Sequence, residues 1–204
     1  MRKYKSRPRK SSLNLEDFNM EQNSIINFNE PLVPRYPKIQ TNLVYAFKDG
    51  HPLTLNLITP PVLPNVKAHF PLLIYVPDVD EHNMVKIDER FAQMLEIAKR
   101  GYAVALISYR TNTDVTAMVK DIHSATRFLL DHAFKYKLDP YRYLLFGEGL
   151  GGYLSSLSIL DQGQQRANDE DVRRSPLRYK GCLLLETSLT PHPFSGPFLS
   201  ELLL

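Results

Sequence analysis

A chain of 204 residues with 43% apolar and 23% charged residues is the size of one soluble globular domain and has enough apolar material for a sizeable core. The net charge of +3 is mild, and no apolar run approaches the roughly 18 residues of a membrane span. The one cysteine, Cys182, has no partner for an internal disulfide, which suits a reducing cytoplasm, the predicted location.

The chain opens on Arg2, Lys3, Lys5, Arg7, Arg9 and Lys10 without an acidic residue among them. This segment carries +6, which leaves −3 on the remainder of the chain. No apolar stretch follows, so a secretory signal is not expected. Residues 1–35 read as a basic and polar leader, disordered or loosely packed. Nucleic acid is the weaker reading, because no aromatic residues alternate with a second basic patch.

From residue 36 the pattern becomes regular, and 36–204 reads as one domain. Gln40–Phe47 and Leu53–Ile58 are predicted strands, joined through Lys48-Asp49-Gly50-His51, and Asp-Gly is a strong hairpin signal. Pro60, Pro61 and Pro64 close the hairpin. Pro71–Val76 is a short continuous apolar run, as expected of a strand covered on both faces. Asp88–Lys99 has helical spacing, with Phe91, Met94, Leu95 and Ala98 on one face and Gly101 ending it. Ala103–Ile107 is a second buried strand. Val115–Phe134 repeats the helical spacing behind Asp114, a predicted N-cap. Tyr143–Phe146 is a third buried strand, and Gly151–Leu160 a helix opening from it. Gln162–Arg174 is polar and reads as a loop, and Cys182–Leu185 as a fourth buried strand. A hairpin followed by alternating strands and helices predicts an α/β fold: a mostly parallel sheet with helices on both faces and an N-terminal antiparallel hairpin.

The segment with chemical content is Phe146-Gly147-Glu148-Gly149-Leu150-Gly151-Gly152, between a buried strand and a helix. One reading is a nucleophile elbow, Gly-x-Ser-x-Gly, whose small flanking residues lift the middle side chain above the sheet. The other is dinucleotide binding, because Gly147, Gly149 and Gly152 satisfy Gly-x-Gly-x-x-Gly. That second reading lacks its acidic residue about 20 positions on, and its glycine turn follows the third parallel strand instead of the first.

Further segments resemble one family. Tyr45–Pro60 is similar to the opening hairpin of the α/β-hydrolase esterases and lipases related to hormone-sensitive lipase and feruloyl esterases. Phe91–Arg110, ending in Tyr-Arg, resembles their helix and strand, and Asp139-Pro140-Tyr141-Arg142 leads into the elbow as theirs does. These enzymes typically carry Gly-Glu/Asp-Ser-Ala-Gly-Gly, and here Gly147, Glu148, Gly151 and Gly152 fit, while Leu150 stands for the alanine and Gly149 for the nucleophile. The resemblance covers about residues 40–187. It implies an α/β-hydrolase fold and a carboxylic-ester hydrolase ancestry.

Ester hydrolysis on this fold needs a nucleophile, a base with its orienting acid, and an oxyanion hole. Gly149 has no side chain. Ser155 and Ser156 lie further into the helix and read as helix-face residues. After Val76 the resemblance implies a His-Gly-Gly-Gly type turn, but the chain has Pro77-Asp78-Val79-Asp80, a missing N–H and two negative charges. Leu150 keeps a backbone N–H for half an oxyanion hole. The family's acid and histidine follow later strands, which are expected to be missing here. Glu186 and His192 keep the chain order but stand only six residues apart. No intact catalytic residue is therefore expected, and the chain reads as a degenerate, inactive esterase. Three alternatives stay open: a binding or regulatory module that uses the former acyl pocket for a small acyl or ester ligand, an esterase that is active or restorable by Gly149→Ser, and dinucleotide binding.

The remaining features read blandly. Asp78, Asp80, Glu81, His82 and Asp88 form a solvated acidic loop, with no metal and no cofactor expected. His123 and His132 are expected at the surface or an interface, and Cys182 in the core. The apolar strand Cys182–Leu185, without further strands beside it, is expected to leave an exposed sheet edge and promote self-association.

Overall fold

The computed structural model describes residues 36–62, 67–162, 167 and 174–188. The chain divides into two units, Met1–Leu32 and Val33–Leu204, and the described residues all belong to the second. The leader, the polar loop except Gln162, Ala167 and Arg174, His192 and the C-terminal segment lie outside the described residues.

Strands β1 (Lys38–Lys48) and β2 (His51–Thr59) form the predicted hairpin. Lys48 pairs with His51, and both Asp49 (φ 50°) and Gly50 (φ 78°) take left-handed backbone. That is the geometry of a two-residue turn matched to the twist of its strands. β3 (Phe70–Val76), β4 (Ala103–Ile107), β5 (Leu138–Glu148) and β6 (Cys182–Leu185) follow, with helices α1 (Phe91–Lys99), α2 (Val115–Asp131), α3 (Ala133–Tyr136) and α4 (Gly149–Asp161) between them. The sheet order is β1-β2-β4-β3-β5-β6. β2 pairs antiparallel with both β1 and β4, whereas β3, β4, β5 and β6 run parallel.

The continuous apolar strands are explained by two-sided cover. Leu72, Ile74 and Val76 of β3, with Ala103, Ala105 and Ile107 of β4, face α2 and α4 in one cluster. Leu73 and Tyr75 with Val104 and Leu106 face α1, where Met94 and Ala98 complete a second cluster. Asp114 caps α2, its Oδ1 accepting from the Ala117 N–H at 2.8 Å. Asp121, fully buried on α2, pairs with Lys48 at 3.2 Å and with Arg110 at 2.8 Å, and Arg110 also reaches Asp49 in the hairpin turn at 2.6 Å.

Four expectations need correction. β5 starts at Leu138, before the predicted Tyr143; its pairing with β3 jumps from Phe70–Leu138 to Leu72–Tyr143, and Pro140 falls in that irregularity, where it removes no ladder bond. The predicted helix Val115–Phe134 is two helices, divided at His132. β6 is not buried: Leu183 and Leu184 are 56% and 42% exposed, and Cys182 is only half-buried. Among the described residues β6 pairs only with β5. His123 is not at the surface but buried between α2 and α4. Its Nδ1 bonds the Ala167 carbonyl at 2.8 Å, and Asp161 Oδ2 accepts the Ala167 N–H at 2.9 Å, so the two side chains pin Ala167 from both sides.

No helix among the described residues is long and apolar enough to cross a membrane.

Candidate functional site

The parallel strands β3 and β5 are neighbours in register, with Val76 opposite Gly147. The loop after β3 and the turn after β5 therefore emerge side by side at the carboxyl ends of the strands, the end of an open α/β sheet where ligand crevices form. Gly149 stands at the tip of the β5–α4 turn with φ 52°. This left-handed backbone costs an L-residue roughly 1–2 kcal/mol, and it is the strained strand-to-helix turn expected of a nucleophile elbow. Gly151 sits against the Val76 and Pro77 carbonyls, closely enough that any Cβ would collide with backbone.

The loop after β3 is built, not merely solvated. Pro77 is buried, and its carbonyl accepts the Tyr109 hydroxyl at 2.7 Å. Burial and the nearby Asp78 charge raise the Tyr109 pKa, which keeps this phenol a donor. Val79 bridges Val85, and Asp80 accepts from the His82 and Met84 N–H groups at 2.9 and 2.8 Å, bonds that hold its carboxyl below the usual range. Asn83 Nδ2 donates to the Thr111 carbonyl at 3.1 Å and to Asn112 Oδ1 at 3.0 Å, which ties this loop to the one after β4.

Asp78 points from this loop onto the elbow. Its Oδ1 accepts the Leu150 N–H at 2.8 Å. A Cβ built on Gly149 would lie inside the van der Waals envelope of the Asp78 carboxyl group. The carboxylate thus fills the space a nucleophile side chain would take and occupies the N–H that was expected to serve an oxyanion. The expectation of a free half-hole at Leu150 is corrected: that donor is spent at the N-terminus of α4, where a negative charge is favourable. The same carboxylate stands where a dinucleotide pyrophosphate would need the helix N-terminus.

Glu148, next to Gly149, turns away from Asp78 toward Tyr75 and Arg90. It is buried, accepts the Tyr75 hydroxyl at 2.6 Å, and is clasped by Arg90 through Nε at 3.0 Å and through the second guanidinium nitrogen. The Arg90 guanidinium holds the Glu148 carboxyl below its ordinary pKa, and burial together with the Glu148 charge raises that of Tyr75. This group braces the elbow from behind. Ser155 and Ser156 donate to the Gly151 and Gly152 carbonyls at 2.7 and 3.0 Å, within α4. Burial pushes the Cys182 thiol up to about 11, which leaves it protonated and unreactive.

Above Gly149 opens a cleft of about 1070 Å³, bounded by the loops after β3 and β4 and by the start of α4. Among the described residues its charged lining is all acidic: Asp78, Asp80, Glu81, Asp114 and Glu186. Met118 and Leu150 add apolar surface. Glu186 is therefore at the cleft, whereas its proposed companion His192 is outside the described residues. Among the described residues no group of three potential ligands is arranged to hold a metal ion. Sequence reasoning listed Asp78, Leu150 and Gly149 as separate features; their convergence, the Tyr75–Glu148–Arg90 brace and the Asn83 tie were missed.

The elbow backbone, the sheet order and the crevice define an α/β-hydrolase. The family model BD-FAE matches residues 62–180, more than half of the chain. The chain belongs to the BD-FAE family. Over 78 residues it is 30% identical to a probable isoprenylcysteine alpha-carbonyl methylesterase of Arabidopsis thaliana, a match covering 37% of this chain and 16% of that protein. Its fold is that of native esterase 2 from Thermogutta terrifontis, at TM-score 0.62 and 21% identity over 84% of this chain and 62% of that one. Esterase B of Lactobacillus rhamnosis aligns at TM-score 0.63 and 21% identity over 86% of this chain and 56% of that one. The chain spans less than two thirds of the length of these relatives.

Proposed function

We propose that this BD-FAE member is a degenerate carboxylic-ester hydrolase that no longer hydrolyses esters and keeps the former acyl cleft as a small-molecule binding site. The observation that carries the reading is the Asp78 carboxylate, lodged beside Gly149 and bonded to Leu150 N–H at 2.8 Å. A nucleophile needs that volume and an oxyanion needs that donor. Loss of a triad serine alone costs on the order of a million-fold in turnover. The acidic lining favours a neutral acyl compound or ester over a free carboxylate, because a carboxylate would face like charges at short range. A cytoplasmic location and self-association through β6 belong to the same reading.

Esterase 2 of Thermogutta terrifontis has been seen phosphorylated by paraoxon. Incubating the present chain with paraoxon and measuring intact mass tests the proposal, because the reagent marks an activated nucleophile whatever the ester preference. No adduct is expected. A stoichiometric adduct in the cleft would show a nucleophile elsewhere in the site and end the non-catalytic reading.

A further inference from the structure

At the opposite, amino-terminal end of the parallel strands lies a second hollow of about 350 Å³. Lys38 reaches it from the start of β1, Lys135 from α3 and Lys137 from the residue that ends α3. Among the described residues no acidic side chain lines it. Among the described residues none of the three ammonium groups has an ion-pair or hydrogen-bond partner; Lys135 rests over the Tyr136 ring at 4.9 Å. Lys137 is held firmly, its carbonyl accepting the Phe70 N–H at 2.8 Å and its backbone left-handed at φ 57°. Tyr36, Phe70 and Tyr136 supply aromatic surface beside the lysines.

We propose that this hollow is a second binding site, independent of the cleft, for a small phosphate monoester carrying an aromatic or apolar substituent. Two chain segments, the start of β1 and α3 with its C-cap, bring three positive charges to one concavity at the lower end of the usual ligand-pocket size. Among the described residues their charges meet no compensating carboxylate there, so an anion supplies it. Lysine presents a compact point charge with rotatable donors, which suits the tetrahedral oxygens of a phosphate, whereas planar carboxylate recognition calls for the arginine fork. The aromatic walls offer a stacking or apolar face to the ester substituent.

The experiment is calorimetric titration of the full chain with phenyl phosphate at low salt, repeated on the K38Q/K135Q/K137Q variant. Its three positions are surface-accessible, and circular dichroism verifies that it folds. Saturable one-to-one binding is expected, weakened about tenfold or more in the variant and unchanged by Asp78→Asn. Inorganic phosphate and benzoate are expected to bind more weakly than phenyl phosphate. Equal affinity for inorganic phosphate would mean an adventitious ion only, and equal affinity for benzoate would remove the preference for phosphate. Unchanged affinity in the triple variant would move the anion to another basic segment, and no saturable binding by the folded chain would leave the hollow without a ligand. Any of these outcomes overturns the proposal without touching the reading of the cleft.

Discussion

Asp78 and Leu150, 72 positions apart, meet through a 2.8 Å hydrogen bond from the Leu150 amide to the Asp78 carboxylate. The bond closes the loop after β3 onto the first turn of α4, directly over the glycine at the elbow tip. The absence of a side chain at Gly149 and the position of the Asp78 carboxylate belong to one contact, since a Cβ at Gly149 would overlap that carboxylate.

This relationship predicts a coupling. In Gly149→Ser the new side chain forces the Asp78 carboxylate out and strains a residue at φ 52°. Loss of the capping bond costs about 1 kcal/mol and the left-handed backbone roughly 1–2 kcal/mol, so a destabilisation of about 2–3 kcal/mol is expected. In an Asp78→Gly background the same substitution costs about 1 kcal/mol less, because no carboxylate remains to be displaced. Urea unfolding of the parent, both single variants and the double variant measures the difference. Strict additivity would show that the two positions do not share the space. The single serine variant is also expected to leave ester hydrolysis undetectable.

Glu148 predicts an acid-sensitive brace. Its folded-state pKa is depressed by Arg90, so the stability it contributes is full above the ordinary carboxyl value and is lost as pH falls through the folded one. Glu148→Gln removes the charge from a pair whose guanidinium is partly exposed and is expected to cost about 1–3 kcal/mol near neutral pH. The gap between parent and variant urea midpoints should stay level above about pH 5 and narrow below about pH 4. A gap that persists unchanged to pH 3 would show that the charge of Glu148 does not matter.

His123 acts with the opposite dependence on charge. Burial lowers its pKa, so the folded protein holds it neutral while the unfolded chain takes up a proton near its ordinary value of about 6.5. Its contribution is present above that value and declines as pH falls toward the folded-state pKa. Between pH 7.5 and 5.5 the parent is expected to lose more thermal stability than a His123→Asn variant. Faster amide exchange at Ala167 in the variant would confirm the pin from α2. Equal pH dependence of parent and variant would contradict it.

The exposed apolar β6 edge predicts concentration-dependent association. Light scattering coupled to sizing should show species larger than a monomer, and Leu183→Lys should shift the population toward the monomer. A monodisperse monomer at high concentration contradicts this.

Much of the fold was legible because its signals are local: Asp49-Gly50 for the turn, Asp114 for a helix start, and unbroken apolar runs where β3 and β4 are covered on both faces. The placing of Ser155 and Ser156 on the helix is equally local, since an elbow followed by a helix fixes where they stand. The misreadings concern residues whose surroundings come from distant segments. Cys182–Leu185 has the composition of a buried strand, but its exposure depends on what packs beside it. His123 is polar and reads as a surface or interface residue, yet it is buried against the Ala167 carbonyl, which comes from beyond the end of α4. Asp78 read as repulsion within an oxyanion loop; only the adjacency of β3 and β5 shows that it is the partner of Leu150.

Hydrolysis of 4-nitrophenyl butyrate by the purified chain, at substrate concentrations well above those an esterase needs, tests the central claim most directly. With Asp78 in the place of the nucleophile and on the Leu150 donor, the rate is expected to equal that of buffer with an inert protein, and to stay there in Asp78→Asn. Saturable turnover by the parent that Asp78→Asn abolishes would contradict the account, because the carboxylate would then be working chemistry and not filling a vacated site.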